Sequence, residues 1–390
     1  MIGLYVHVPY CTVRCSYCDF YLVTARGKEL GAFVDAVCAE IASVPAELRH
    51  AAVDSVHLGG GTASLLPPAS IERILAAARD TFRLHEGAEI GLEANPEDLT
   101  AESIRDLVCL GIGRLSIGVQ SLDDKVLRTL GRAHSAERAL LAVEAARRGG
   151  LNSVGADLIL GAPGESPDKA LRGMARLVAS GVDHLSVYML ELHPRTRLGR
   201  EAALGRVSPA GDDELAGLYE RAADLLVGSG FEHYEISNFA RPGHRSRHNL
   251  KYWTDQEYLG FGPGAHSYLA GRRWRNAPDL DGYIARGGAG AARVEDAQPL
   301  EVRAAEALCA GLRIAEGVDL AALRGRYGDS LPAPEAAAVT ELERAGLVRC
   351  SGSRLRLTRR GRLLSNEVFV RLMPRTPGTG SARSGVAQLR

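Results

Sequence analysis

Six short runs of aliphatic and β-branched residues, each followed by a stretch with helical periodicity, limit this chain more than any other feature. The runs are residues 4–8, 53–58, 90–94, 114–119, 154–160 and 184–190. Between the first two, Leu30, Phe33, Val34, Val37 and Ile41 share one helix face. After Pro67-Pro68 the pattern returns at Ile71, Ile74, Leu75 and Ala78, with proline where a helix start tolerates it. Ser121 followed by Asp124 reads as a capping box opening a helix over 122–130. Strands alternating with helices build right-handed βαβ units on a parallel sheet. Six such units predict an α/β fold, a partial six-stranded (β/α) barrel, with a doubly wound open sheet as the alternative.

Past the sixth run the pattern changes. A helix over 213–226 and a strand over 231–236 are followed by a polar, aromatic segment, 246–268, and a Gly/Ala-rich loop, 287–292. From about Leu300, helices over 302–312 and 334–345 precede strands at 347–350 and 355–358, the order of a small α+β winged-helix-like domain. The final residues are rich in Gly, Ser, Pro, Thr and Arg, a composition expected to be disordered. The expected boundaries are 1–236 for the barrel, 237–299 for an extension, 300–373 for the smaller domain and 374–390 for the tail.

Lys+Arg and Asp+Glu are both 47, so the formal net charge is zero. That balance argues against a globally basic nucleic-acid binder. No apolar run approaches the roughly 20 residues needed to cross a bilayer, and the N-terminus lacks a basic signal-peptide start. A cytoplasmic protein with reduced thiols is the expectation.

Three of the seven cysteines crowd into Cys11-Thr12-Val13-Arg14-Cys15-Ser16-Tyr17-Cys18, directly after the first strand. Thiolates at this spacing can each hold one iron of a cubane cluster and leave the fourth iron open. Zinc is the alternative, and a structural zinc prefers four protein ligands, with His7 as the nearby candidate. A disulfide fits neither the compartment nor the odd count. Cys38, Cys109, Cys309 and Cys350 lie in apolar settings and are expected to fill core space.

Chemistry in such barrels sits at the C-terminal strand ends. Gly59-Gly60-Gly61-Thr62, Glu93, Gln120 and Asp157 all fall there, facing one mouth with the cysteines. Glycines let backbone groups approach a ligand closely, though three in a row also suit a tight turn. Glu93 and Asp157 suit ribose hydroxyls or an ammonium group, or act as solvated carboxylates or caps. Gln120 packs or bonds a cofactor, and Arg132 reads equally as a surface residue or a ligand. Arg349, Arg354, Arg356, Arg359, Arg360 and Arg362 surround the C-terminal hairpin and read as a solvated basic face rather than a DNA contact, or as a contact to the barrel, a partner or haem.

The cysteine spacing resembles that of the radical S-adenosylmethionine (SAM) superfamily. The opening Leu4-Tyr5-Val6-His7-Val8-Pro9-Tyr10-Cys11 is similar to the coproporphyrinogen dehydrogenase group, which includes the HemW-type haem chaperones. The resemblance runs to about Met373 and implies a partial barrel of radical SAM type. It also implies a [4Fe-4S] cluster on Cys11, Cys15 and Cys18 whose open iron chelates SAM for one-electron cleavage to a 5′-deoxyadenosyl radical. Tyr5, Gly60 and Glu93 match positions holding one SAM, and Tyr17, Gly61, Thr62, Gln120, Arg132 and Asp157 match positions around a second. Ala63 departs from the group, which usually has proline there.

Within the group, Phe20 stands where the dehydrogenase has a fourth cysteine, and the sequence begins four residues before Tyr5, without the dehydrogenase's extension. His248-Asn249-Leu250-Lys251-Tyr252-Trp253 matches a motif of the haem-binding members. The resemblance therefore implies a chaperone with no catalytic residue, binding cluster, SAM and haem. His248 would be the haem ligand, since neutral imidazole binds haem axially; on local chemistry alone a hydrogen-bonded histidine fits as well. Tyr252 and Trp253 would offer flat faces, Arg241, Arg245, Arg247 and Lys251 would pair the propionates, and His266 is a second candidate. The implied partners are haem, client haemoproteins including membrane-bound respiratory enzymes, and an electron donor, with a homodimer allowed and no nucleic acid. The alternative is radical decarboxylation of coproporphyrinogen III.

Overall fold

The computed structural model describes residues 1–24, 30–331 and 335–374. The chain divides into two compact units. The first comprises Met1–Glu232, Ser237–His248 and Glu257–Glu295; the second comprises His233–Ile236, Asn249–Gln256 and Asp296–Arg390. The expected 300–373 domain falls inside the second unit, which also takes up two short stretches from upstream. The expected tail beyond Pro374 lies outside the described residues.

All six expected strands form in the first unit: β1 (Ile2–Val8), β2 (Ala52–Gly60), β3 (Arg83–Ala94), β4 (Arg114–Gln120), β5 (Ser153–Leu160) and β6 (His184–Met189). Four more follow: β7 (Asn238–Ala240), β8 (Tyr258–Phe261), β9 (His266–Leu269) and β10 (Arg272–Asn276). They hydrogen-bond in the order β10-β9-β8-β1-β2-β3-β4-β5-β6-β7, the middle ten strands of a twelve-stranded sheet. From β8 through β6 every pairing is parallel. The sheet is thus open at both ends, as a partial barrel requires, with β8 as a seventh parallel strand beside β1. Strands β1, β2 and β5 are buried nearly throughout, as strands covered on both faces are, while the first half of β3 is largely exposed.

The helices between strands follow the apolar periodicity. Helix α1 (Leu30–Ala42) buries Phe33, Val34, Val37 and Ile41, and α2 (Pro68–Thr81) buries Ile71, Ile74, Leu75 and Ala78 behind Pro67 at its N-cap. Helix α3 (Ala101–Cys109) leads to β4, and α4 (Asp124–Leu130) corrects the capping expectation. Asp123 is the cap, its carboxylate accepting from Lys125 N, while Ser121 Oγ accepts from Asp123 N at 3.2 Å. Helix α5 (Ala136–Arg148) precedes β5 and α6 (Pro167–Ala179) precedes β6; α7 (Arg197–Ala203) and α8 (Asp212–Gly228) follow.

Helix α9 (Arg247–Trp253) runs from the first unit into the second, and α10 (Leu280–Ala285) belongs to the first. In the second unit, α11 (Leu300–Leu312), α12 (Leu320–Tyr327) and α13 (Glu335–Arg344) precede a hairpin of β12 (Val348–Ser351) and β13 (Arg354–Leu357). Strand β11 (Val318–Asp319) adds to β13 in an antiparallel three-stranded sheet, and α14 (Arg359–Leu363) and α15 (Ser365–Leu372) close the unit. Leu308, Cys309, Leu312, Leu355, Val368 and Phe369 form its core. Of the four cysteines expected to fill core space, Cys309 does so fully. Cys350, partly buried, shares the inward face of its strand with Val348 and packs against that core, whereas Cys109 is exposed and Cys38 only partly buried. Among the described residues no helix is long and apolar enough to cross a membrane.

Candidate functional site at the strand ends

The loop after β1 carries Cys11, Cys15 and Cys18, all free and partly exposed. It is pinned rather than loose: Ser16 N donates to Leu130 O at 3.0 Å, Ser16 Oγ to Thr129 O at 2.7 Å, and Leu198 N to Ser16 O at 2.8 Å. Burial pushes the Cys11 thiol up and the Cys18 thiol up to about 11, and each is raised further by the neighbouring thiols. A cation among them would reverse that order, since coordination deprotonates a thiol. Among the described residues no three His, Cys, Asp or Glu side chains stand at metal-binding distance as placed.

Two donors from other elements reach the sulfurs. Thr62 Oγ1 donates to Cys11 Sγ at 3.3 Å, and Arg132 Nη1 donates to Cys15 Sγ at 3.3 Å. Asn95 ties the two together: its Nδ2 donates to Thr62 Oγ1 at 3.0 Å, and its Oδ1 accepts from Arg132 Nη2 at 2.5 Å. A continuous path thus runs Cys11–Thr62–Asn95–Arg132–Cys15. Three soft sulfur ligands on one loop, with hydrogen-bond donors aimed at two of them, fit an iron–sulfur cluster, whose potential such donors tune. Zinc gains no fourth ligand from His7. Its Nδ1 lies 3.0 Å from Tyr5 OH and its Nε2 3.0 Å from Tyr21 O.

The glycine run is fixed by close approach. Gly60 has φ +107°, and a Cβ there would stand 2.3 Å from His7 Nδ1. Gly61 N donates to Val8 O at 2.8 Å, and a Cβ on it would stand 2.6 Å from Tyr10 O. The backbone of this turn therefore lies against the start of the cysteine loop.

Glu93 ends β3 with its side chain 41% exposed. It accepts from Gly60 N at 3.0 Å and His57 Nε2 at 3.1 Å. Burial would raise its pKa, but the hydrogen bond and charge of His57, with Gly60 N–H and His7, outweigh burial and hold it below the usual range. Asp157 behaves in the opposite way. Burial lifts it to about 6 against hydrogen bonds from Ser186 and Ser116, the latter at 3.0 Å. Gln120 takes a left-handed backbone, φ +63°, a strained conformation for a non-glycine residue at a strand end. Tyr17 is partly buried in the cysteine loop, and burial raises its pKa. Tyr5 stacks on His57, and burial puts its phenol well above the usual range.

His248, expected as the haem ligand, is buried and hydrogen-bonded. It is 1% exposed, its Nδ1 lies 3.0 Å from Ser55 Oγ, and its ring stacks on His57 at 5.2 Å. Its backbone N–H donates to Glu89, which forms a buried ion pair with Arg114 at 2.8 Å. The imidazole is therefore buried against Tyr5, His57 and Ser55. The nearby cations are also engaged. Arg241 lies over the Phe231 ring, Arg245 pairs Glu232, and Arg247 donates to Gly87 O. In the second unit, Lys251 is buried and donates to Gln256, and the Arg313 guanidinium covers a face of Trp253 at 4.3 Å. His266 is exposed.

Sequence reasoning missed Asn95, His57 and Ser116. Asn95 immediately follows β3, and His57 and Ser116 point inward from β2 and β4; inward polar residues near parallel strand ends were the available signal.

The radical SAM superfamily pattern matches residues 5–190, and the HemN C-terminal domain pattern matches residues 298–364. The heme chaperone HemW of Mycobacterium tuberculosis is 38% identical over 380 residues, spanning 95% of this chain and 94% of that protein. The heme chaperone HemW of Bacillus subtilis is 31% identical, spanning 95% and 98%. Mouse (Mus musculus) mitochondrial radical S-adenosyl methionine domain-containing protein 1 is 40% identical over 265 residues, 68% of this chain and 60% of that one. Among solved structures, the Escherichia coli coproporphyrinogen III oxidase HemN superposes with a TM-score of 0.82 at 23% identity, over 95% of this chain and 90% of that one, which shows a common fold. The chain belongs to the HemW family of the radical SAM superfamily.

Proposed function

We propose that this protein is a haem chaperone that holds a [4Fe-4S] cluster and SAM and passes haem to client haemoproteins. The observation that carries this reading is the match, over nearly the full length of both chains, to relatives named heme chaperone HemW. Cys11, Cys15 and Cys18 would hold the cluster, with Thr62 and Arg132 donating to its sulfur ligands. When bound, cluster and SAM supply one-electron chemistry. The chain's own residues bind and orient. Glu93, ionised and half-exposed, suits the SAM ammonium, and the backbone of Gly60 and Gly61 can lie against the cofactor. Tyr5 lines the same interior as Glu93. Tyr17, Gln120, Arg132 and Asp157 are proposed to surround a second SAM. The burial of His248 argues against it as the haem ligand, and we assign haem no axial ligand. A reducing partner, client haemoproteins including membrane-bound ones, a homodimer and a cytoplasmic location complete the proposal.

The test is anaerobic incubation of cluster-loaded protein with SAM, reductant and coproporphyrinogen III, beside a haem-transfer assay to an apo-haemoprotein. Haem transfer without protoporphyrinogen supports the chaperone. Catalytic formation of protoporphyrinogen would overturn it in favour of the dehydrogenase, whose fold this chain shares and whose fourth cysteine is here the exposed Phe20.

A further inference from the structure

The second unit contains a groove of about 690 Å³ between the hairpin and the start of α14, lined by Arg349, Arg356, Arg359 and Arg362, with Glu343 as the one acidic group among the described residues. Its volume lies in the range of small-ligand pockets, about 300–1,000 Å³. The strands explain how the arginines gather. In β12 Val348 is buried and Arg349 exposed, and in β13 Leu355 and Leu357 are buried while Arg356 between them is exposed. Alternation sends the apolar residues to the core and both arginines to the other face. There Arg349 and Arg356 stand directly opposite each other in the ladder. Like charges directly opposite destabilise a sheet, and nothing in the packing of this hairpin calls for that pair.

Neighbouring groups hold the groove in shape. Glu343 accepts from Cys350 N at 3.0 Å, and Thr358 Oγ1 donates to Gly346 O at 2.7 Å. Arg362 donates to His233 Nδ1 at 2.9 Å, while His233 Nε2 donates to Ile236 O at 3.1 Å. Burial first, and the Arg362 charge second, pull His233 down to about 4, so it stays neutral and accepts from the guanidinium. A planar guanidinium grips a carboxylate through two parallel hydrogen bonds, and a pair of them one ladder rung apart suits two carboxylates on one ligand.

We propose that this groove takes the two propionates of a haem, with Arg349 and Arg356 as the residues that grip them. The inference rests on the haem-chaperone reading, and it places the haem contact in the C-terminal unit rather than at His248.

The experiment uses the full-length, cluster-loaded protein and measures affinity for haem and for haem dimethyl ester, whose propionates carry no charge. The wild type should bind haem about tenfold more tightly than the ester, a charge-assisted preference that weakens with salt. The double variant Arg349→Gln/Arg356→Gln should lose most of that preference. Arg354→Gln, on the same hairpin but outside the groove, should keep it. These exposed positions tolerate glutamine, and matching melting curves check that the fold is intact. A double variant that retains the wild-type haem affinity and preference would overturn the inference while leaving the chaperone reading standing. So would a salt-sensitive affinity for duplex DNA that the double variant loses while haem binding is unchanged. Failure of the wild type to bind haem at all would overturn both.

Discussion

The rim of the sheet and its interior hold polar groups in different ways. At the rim, Thr62 and Arg132 point donors at thiols that are themselves partly exposed, and Glu93 is half-exposed. Deeper, Ser55, Glu89, Arg114 and His248 are all buried and bond one another or the backbone. Buried polar groups with partners specify shape, because leaving one unpaired carries its full desolvation cost. Polar groups gathered at an open strand end without a closed set of partners are arranged to receive something. His57 joins the two regions: Nε2 fixes Glu93 at the rim while its ring stacks on His248 below.

The difference can be broken most sharply with Cys15→Ala. It should abolish the brown absorption of the reconstituted cluster while barely moving the melting temperature, because Cys15 is partly exposed. Glu89→Gln should do the reverse. Removing one partner of the buried pair with Arg114 is expected to cost about 3–5 kcal/mol by denaturant titration, with cluster loading retained in the protein that remains folded. Next, His248→Ala should cost about 1–3 kcal/mol through the partner it strands and leave both the cluster spectrum and haem affinity unchanged. A large loss of haem affinity at equal stability would return His248 to the haem site.

Asp157 tests the boundary between the regions through pH. Its folded pKa is raised to about 6 by burial, so its contribution favours folding below the unfolded value of about 3.9 and is lost as pH rises through about 6. Stability should therefore decline across that window, and Asp157→Asn should flatten the decline by about 1–3 kcal/mol. An unaltered pH profile in the variant would show that Asp157 is not buried as described. The smallest effect is expected from Thr62→Val, which removes one hydrogen bond to sulfur and one acceptor for Asn95. It should cost about 1 kcal/mol and shift the cluster potential without preventing loading.

Local chemistry made most of this legible before the structure. The six strands, α1 and α2 follow from apolar spacing, and the residues at the strand ends follow from where parallel strands deliver their C-termini. What stayed hidden depends on the chain returning over long distances. Strand β8 reads as a polar aromatic segment, yet it completes the parallel run because β1 offers it an unpaired edge. Strand β3 begins at Arg83, seven residues before its apolar stretch, since Ala52 and Val53 pair with Arg83 and Leu84. His248 carries a motif that reads as a haem contact or a hydrogen-bonded histidine, and the helix bearing it packs its ring against Tyr5 and His57 from strands over 190 residues away. Asn95 bridges two residues 37 and 33 positions distant, a relation no local pattern encodes.

The most direct test of the three-thiol site is electron paramagnetic resonance of the anaerobically reconstituted, reduced protein, recorded with and without SAM. A [4Fe-4S]⁺ signal that changes shape on adding SAM, and is absent from Cys15→Ala, is the predicted result. A signal indifferent to SAM, or stoichiometric zinc with no cluster signal, would contradict an open iron held by Cys11, Cys15 and Cys18.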